Sequence, residues 1–291
     1  MPPTSPQSGS LDIGTAATLA CLYEVTARKP GNVYPGANFD GATTYVAFVT
    51  SAIIIGPIVA QAPTAGVGRT VLNGVCATRE AVNTNTNLGT LLLLAALAAV
   101  PSDIKLDAGI SEVLDRLTPV DTRAVYEAIR LADAGGLGRE VEADVFSDPP
   151  PTLGLTDAMR LAAGRDLVAR QYTNNFGDVF GASRSIERGL AQSGKLEDAI
   201  VHAYLEQLAA TPDSLIQRKC GPAVAAEAST RAARTLNSSS VSDSAYLLAL
   251  NELNDWLRAD GHRRNPGTTA DLIAAGLFVL LREGRLNWSS W

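Results

Sequence analysis

The stretch AVNTNTNLGTLLLLAALAAV, residues 81–100, decides the fold that this sequence predicts. Three asparagines alternate with threonines, a glycine follows, and the remainder is an almost unbroken apolar run. Asparagine is a poor residue inside a helix and a good one at its start. The pattern therefore predicts a buried helix over 89–100 with a cluster of amides at its N-terminal end.

Helix-like patterns extend outward from this stretch through the whole chain, and strand-type alternation is nearly absent. Hydrophobic residues make up 46% of the sequence but aromatic residues only 5%, which suits closely packed helices. We predict an all-α fold, a single compact multi-helix domain over 13–291 with a long connection at 139–154, behind a disordered N-terminal tail at 1–12. The predicted helices are 15–28, 44–61, 67–82, 89–100, 121–134, 156–172, 183–192, 196–209, 215–236, 243–258 and 268–283.

Composition argues against several classes of protein. The net charge of −6, without a long basic run, argues against a nucleic-acid partner. Cys21, Cys76 and Cys220 are scattered, which argues against a disulfide framework or zinc site and favours a cytoplasmic protein. The apolar runs at 46–60 and 91–100 are interrupted or too short to span a membrane, and the N-terminus lacks a signal-peptide pattern.

Polar side chains that could carry chemistry occur at predicted helix ends. Glu24 lies on the first helix and Lys29 follows it, where an ammonium group can pair with a phosphate; a solvated lysine that complements the helix dipole is the plainer interpretation. Asn38 and Asp40 lie in GANFDG, where such residues usually build turns. Asp40 is also a candidate metal ligand.

The asparagine cluster offers two interpretations. Asn83, Asn85 and Asn87 exceed what capping one helix requires, and extra amides in a buried place need hydrogen-bond partners. The partners could belong to an anionic ligand at the free N–H groups of the helix, or to a polar network between helices. The sequence leaves both interpretations open.

Two further clusters lie in the second half of the chain. Arg218 and Lys219 could hold a polyphosphate or form a surface charge pair. Asp271 is predicted in the first turn of the last helix, where the dipole favours an acid and where a carboxylate could also bind Mg²⁺.

In this order the motifs resemble those of the triphosphoribosyl-dephospho-CoA synthase family (the CitG/MdcB type). The family's Glu, KPGLVD and GAHxDM correspond to Glu24, KPGNV and GANFD, and its GVNTHKG to AVNTNTNLG. Its DTN…RGG corresponds to PDSLIQRKCG, and its SPGGSADLLA to NPGTTADLIA. The resemblance runs from about residue 20 to 280. It departs at Asn38, where the family has histidine, and at Asn87 and Leu88, where it has His-Lys.

The resemblance implies a transferase that joins an acceptor such as 3'-dephospho-CoA to C1 of the ATP ribose and releases adenine, with Mg²⁺ assisting at the phosphates. By motif, it implies Glu24 as a general base or as a group that supports the residues in contact with substrate, and Asp40 and Asp271 as metal ligands or groups that stabilise the sugar cation. The implied substrate- and phosphate-binding residues are Lys29, Asn38, Asn83, Asn85, Asn87, Arg218 and Lys219.

The departures from the family pattern leave alternatives open, because neutral amides cannot shuttle protons near pH 7. One is a divergent member that acts on a phosphorylated precursor of a one-carbon cofactor of the tetrahydromethanopterin or methanofuran type. Others are an N-glycosidic hydrolase and a non-catalytic nucleotide-binding protein. Apolar helices so poor in aromatic residues also suggest packing between subunits in a homodimer.

Overall fold

The computed structural model describes residues 11–39, 41–132, 154–238 and 243–288. The regular structure of these residues consists of helices and one isolated bridge between Tyr34 and Ala37. The all-α prediction is confirmed. The helices are α1 (Ile13–Thr26), α2 (Tyr45–Val59), α3 (Ala62–Ala65), α4 (Val67–Val82), α5 (Leu88–Ala98), α6 (Leu106–Asp115), α7 (Pro119–Ala132), α8 (Leu155–Ala162), α9 (Leu167–Gln171), α10 (Gly177–Ser193), α11 (Leu196–Ala210), α12 (Ser214–Cys220), α13 (Pro222–Leu236), α14 (Ser244–Arg258) and α15 (Gly267–Arg282).

The two most deeply buried helices, α5 and α15, pack against each other in the core. Every residue of α5 except Gly89 is buried, as is most of α15. A helix that is apolar on all sides must be covered on all sides, and α2, α4 and α15 are among the helices that cover α5. The guanidinium of Arg282 donates to the carbonyls of Leu97 (3.2 Å) and Val100 (2.6 Å), and so satisfies acceptors at and beyond the C-terminal end of α5.

Close approach of α1 and α2 depends on a pair of glycines. A Cβ placed on Gly14 would lie 3.0 Å from the backbone oxygen of Gly56, and one on Gly56 would lie 2.9 Å from the oxygen of Gly14. Without side chains at these two positions the helix backbones meet directly. This contact holds α1 in place, and α1 carries Glu24.

Two predicted helices are each divided in the structure. The predicted helix over 215–236 is divided at Gly221, whose φ of +89° is left-handed, and Pro222 then begins α13. The predicted helix over 156–172 ends at Ala162, and Asp166 begins α9 as its N-cap. The prediction also missed α6, a short amphipathic helix. In the two divided helices, residues that favour a helix end or a helix start interrupt an apolar pattern that would otherwise continue.

Some sequence predictions fall outside the described residues. These are most of the tail at 1–12, the connection at 139–154 apart from Gly154, and Asp40. Asp12 is described and accepts from the backbone N–H of Thr15 at 2.9 Å, so it caps α1. None of the helices in the described ranges is both long and apolar enough to cross a membrane.

A buried carboxylate joins α12 to α15. Asp213 is fully buried, and its Oδ1 accepts from the backbone N–H groups of Leu215 (2.8 Å) and Ile216 (3.1 Å). Its Oδ2 accepts from the backbone N–H (2.7 Å) and the hydroxyl (2.8 Å) of Thr269. Asp213 thus fixes the N-terminal turn of α15 relative to α12, which sets where Asp271 and Arg218 lie.

We expect Asp213→Ala to lower the free energy of unfolding by about 3 kcal/mol, because a cap contributes about 1 kcal/mol and buried groups left without a partner cost about 1–3 kcal/mol. Urea denaturation followed by circular dichroism measures the change. The matched control is Asp12→Ala, which removes an exposed cap with local bonds only and is expected to cost about 1 kcal/mol. Equal losses in the two variants would contradict a tertiary role for Asp213.

Candidate active site

A cavity of about 990 Å³ lies where the N-terminal ends of α5 and α15 meet the side of α1. Residues of α2, α4, α7, α8, α9 and α12, together with residues of the connecting segments, form the rest of its wall. Its size is at the upper end of the range for pockets that bind organic ligands. Two buried helices therefore present their N-terminal ends to one ligand-sized space.

Charged side chains are concentrated on the cavity wall. Both signs are present, but basic groups prevail in a chain whose net charge is −6. This distribution favours a ligand with several negative charges. The basic residues are Arg79, Arg165, Arg218, Lys219 and Arg263, and the acidic residues are Glu24, Asp166 and Asp271.

Asp271 lies on the cavity wall between α15 and α5. The sequence placed it in the first turn of the last helix, but α15 begins at Gly267 and Asp271 lies in the second turn, facing α5. Its Oδ1 accepts from the hydroxyl of Thr90 at 2.5 Å. A Cβ on Gly89 would collide with its Oδ2, so glycine at that position lets the carboxyl group reach the start of α5.

The protonation of Asp271 is unusual. Burial raises its pKa to about 8, and the negative charges of Glu24, Asp213 and Asp166 act in the same direction, against the hydrogen bond from Thr90. Asp271 therefore carries its proton at neutral pH, and a carboxyl group with such a pKa is suited to general acid catalysis.

Glu24 and Lys29 form an ion pair at the α1 side of the cavity. Glu24 lines the cavity, and its Oε1 lies 3.0 Å from Nζ of Lys29, which is fully buried. Lys29 also donates to the backbone oxygens of Ala27 (3.2 Å) and Glu24. Lys29 is not among the cavity-lining residues, contrary to the exposed phosphate partner that the sequence suggested, because the chain turns back after Pro30 and buries its ammonium group behind Glu24.

The three asparagines of the opening stretch have different positions. Asn83 ends α4 in a left-handed conformation and does not line the cavity. Asn85 lines the cavity and its Oδ1 accepts from the backbone N–H of Leu88 at 3.2 Å, so it caps α5. Asn87 is buried on the cavity wall at the N-cap position, where its side chain makes no capping bond.

Arg218 is held in place on the cavity wall by Asp166. Asp166 caps α9 through Oδ1, and its Oδ2 accepts from Nη1 of Arg218 at 2.5 Å. Within the described residues the buried Nε of Arg218 has no hydrogen-bond partner. Burial, and then the charge of Arg218, lower the pKa of the neighbouring Lys219. Sequence reasoning did not select Asp166, because the predicted helix ran through it.

Asn38, a further predicted residue, is not among the residues that line the cavity. Asn38 is exposed, and its Oδ1 accepts from the backbone N–H of Tyr45 at 2.8 Å, which is a capping role for α2. Asp40 is outside the described residues. Sequence reasoning also missed Thr90 and Asn32, whose contacts depend on tertiary structure and leave no pattern in the sequence.

Comparisons with known proteins place the chain in a family. The family model of the ATP:dephospho-CoA triphosphoribosyl transferases, CitG, matches residues 10–290. A crystal structure of a proposed triphosphoribosyl-dephospho-CoA synthase from Archaeoglobus fulgidus is similar, with a TM-score of 0.64 and 25% identity over 81% of this chain and 99% of that chain. No curated protein sequence matches this chain.

Proposed function

The chain belongs to the CitG family of ATP:dephospho-CoA triphosphoribosyl transferases, and we propose that its cavity holds ATP with the bond between adenine and ribose beside Asp271. Membership makes it a transferase that takes ATP as substrate. In the family reaction a hydroxyl group of dephospho-CoA replaces adenine at C1 of the ATP ribose. The observation that carries our assignment is the buried carboxyl group of Asp271 on the cavity wall, whose pKa burial raises to about 8, on a wall that also bears the carboxylate of Glu24 paired with Lys29.

Asp271 is proposed as the general acid. Adenine is a poor leaving group as an anion, so a proton delivered to a ring nitrogen as the C1–N9 bond breaks lowers the barrier. At neutral pH Asp271 holds a proton, and the hydroxyl of Thr90 stabilises the carboxylate that remains after transfer. The same carboxylate faces the positive charge that develops on the ribose.

Glu24 is proposed as the general base. The buried ammonium group of Lys29 lies 3.0 Å from its Oε1 and fixes the position of the carboxylate on the cavity wall. Glu24 accepts the proton of the acceptor hydroxyl while the new C1–O bond forms, and the electron pair of the broken bond leaves with adenine. The acceptor gives one proton to Glu24 and adenine takes one from Asp271, and proton exchange with water then returns both carboxyl groups to their starting states.

The triphosphate is proposed to lie against the basic side of the cavity, with Arg218 and Lys219 as its main contacts. Mg²⁺ fits this site, because it binds through one or two carboxylates together with phosphate oxygens. Asp166 lies on the wall beside Arg218, so its carboxylate would hold the ion, whereas Glu24 and Asp271 act as base and acid in this proposal and would not. Bound there, Mg²⁺ would neutralise phosphate charge.

Incubation of the purified chain with ATP, Mg²⁺ and dephospho-CoA tests the proposal, with mass spectrometry as the readout. We expect free adenine and the coupled product in equal amounts. Adenine with free ribose triphosphate would instead indicate hydrolysis of the N-glycosidic bond. Intact ATP in every reaction would contradict the proposal.

Arg218→Ala is expected to raise KM for ATP by about 10–100-fold with a smaller change in kcat, because a hydrogen bond to a charged group contributes about 1.5–3 kcal/mol. Steady-state kinetics measure both constants, and Arg218→Lys should restore part of the affinity. The matched control is Arg188→Ala, an exposed arginine paired with Glu206 outside the cavity, which should leave KM unchanged. An unchanged KM in Arg218→Ala would contradict the phosphate role.

A further inference from the structure

Two buried amide groups on the cavity wall have unused hydrogen-bonding atoms. Asn87 is 8% exposed, and among the described residues its Nδ2 has no partner. Asn32 is 5% exposed, and its Oδ1 likewise has no partner there. Unpaired buried polar atoms are rare in folded proteins and each one calls for an explanation. Nδ2 of Asn87 is a hydrogen-bond donor and Oδ1 of Asn32 is an acceptor.

The remaining contacts leave these two atoms available. The Oδ1 of Asn87 has only a long contact of 3.5 Å with the hydroxyl of Thr78, and that hydroxyl also donates to Gly74 at 2.9 Å. Asn32 donates its Nδ2 to Oδ1 of Asn265 at 2.6 Å, which fixes the amide and leaves its oxygen unused. Asn32, Asn87 and Asn265 all line the cavity.

We propose that Asn87 and Asn32 recognise the adenine base of ATP, with Nδ2 of Asn87 donating to a ring nitrogen and Oδ1 of Asn32 accepting from the 6-amino group. This inference rests on the proposed function, since it needs ATP in the cavity. Adenine offers both ring-nitrogen acceptors and an amino donor, which is the complement of one free amide donor and one free amide acceptor.

The charge of the surroundings favours a base over a phosphate at these amides. Asn87 lies two residues before Gly89, where the Asp271 carboxyl group occupies the space that a Cβ would need, and the carboxylate of Glu24 lines the same cavity. A phosphate there would face the negative charge of Glu24 and an uncharged Asp271, whereas the basic side chains elsewhere on the wall suit it. A neutral heterocycle can approach Asp271 closely, which it must do to receive the proton.

Ligand binding to the intact chain tests this assignment through selectivity. The probes are ATP, purine riboside triphosphate, which lacks the 6-amino group, and 1-deaza-, 3-deaza- and 7-deaza-ATP, each of which lacks one ring nitrogen. For the unsubstituted chain, calorimetry should show about tenfold weaker binding of purine riboside triphosphate and of one deaza analogue. We call the loss of affinity of each of these two analogues, relative to ATP, its penalty. Asn87→Ala should abolish only the penalty of the deaza analogue, and Asn32→Ala should abolish only the penalty of the analogue that lacks the 6-amino group.

Two further variants keep the test decisive. Asn87→Asp preserves the shape of the side chain but removes the donor, so it should bind the discriminating deaza analogue at least as tightly as ATP. Asn237→Ala is the control, because Asn237 is an exposed amide at the C-terminal end of α13 and does not line the cavity; it should retain both penalties.

The outcomes separate this inference from the proposed function. If ATP binds and the Asn87 and Asn32 variants keep both penalties, base recognition by these amides is wrong and the proposed function stands. If the unsubstituted chain binds ATP without either penalty, the inference is equally wrong. If ATP does not bind at all, the proposed function is overturned together with it.

Discussion

Asp271→Asn is expected to lower kcat by about 10²–10⁴-fold, the usual contribution of a general acid, without unfolding the protein. The amide keeps the size of the side chain, and its oxygen can still accept from the hydroxyl of Thr90. It cannot supply a proton to adenine. Rates of adenine release and melting temperatures of both proteins measure the two effects, and a variant that kept a third or more of the rate would contradict the assignment.

The same residue predicts the alkaline limb of the pH profile. Its pKa is raised to about 8, so the protonated acid predominates below that pH and is lost as the pH rises through it. The kcat of the unsubstituted enzyme should therefore fall above pH 8, and the small residual rate of Asp271→Asn should not show that fall. A profile that stayed flat to pH 9 would mean that another group supplies the proton.

Lys29→Met is expected to lower the free energy of unfolding by about 3–5 kcal/mol, the cost of removing one partner of a buried ion pair. Lys29 is fully buried, and burial lowers its pKa while the charge of Glu24 opposes that shift. Methionine has a similar length but no charge, so it would leave the Glu24 carboxylate facing an apolar wall. Urea denaturation measures the loss.

The companion variants separate a structural lysine from a phosphate ligand. Lys29→Met combined with Glu24→Gln should cost less than the sum of the two single changes, because no unpaired charge remains. If Lys29→Met were as stable as the unsubstituted chain and raised only KM for ATP, Lys29 would be a phosphate ligand, as the sequence pattern suggested.

The apolar helices were predictable because their composition permits no other arrangement in water. The run from Leu91 to Val100 is long for a strand and contains no charge, so the sequence predicts a buried helix there, and α5 is one. Its neighbours were less predictable where a single residue ends a helix. Gly221, with its left-handed φ, and Asp166, which caps α9, each interrupt a run of apolar periodicity that the sequence analysis interpreted as one continuous helix.

The candidate site was predictable in its residue types but not in its partners. Asp271, Glu24 and Arg218 were selected from motifs, and all three line one cavity. That Lys29 turns inward, that Thr90 reaches Asp271 and that Asn32 shares the wall with Asn87 depend on segments far apart in the chain. Contacts of this kind are set by packing, and no local pattern encodes them.

The burial of α5 from Leu91 to Ala98 also determines how rarely this part of the protein can open. These residues are covered by helices that include α2, α4 and α15, so we expect their backbone amides to be among the slowest in the protein to exchange hydrogen. Asn87, Gly89 and Thr90 are attached to this slowly exchanging element. Substrate therefore meets a wall that is already ordered, and little conformational entropy has to be lost there on binding.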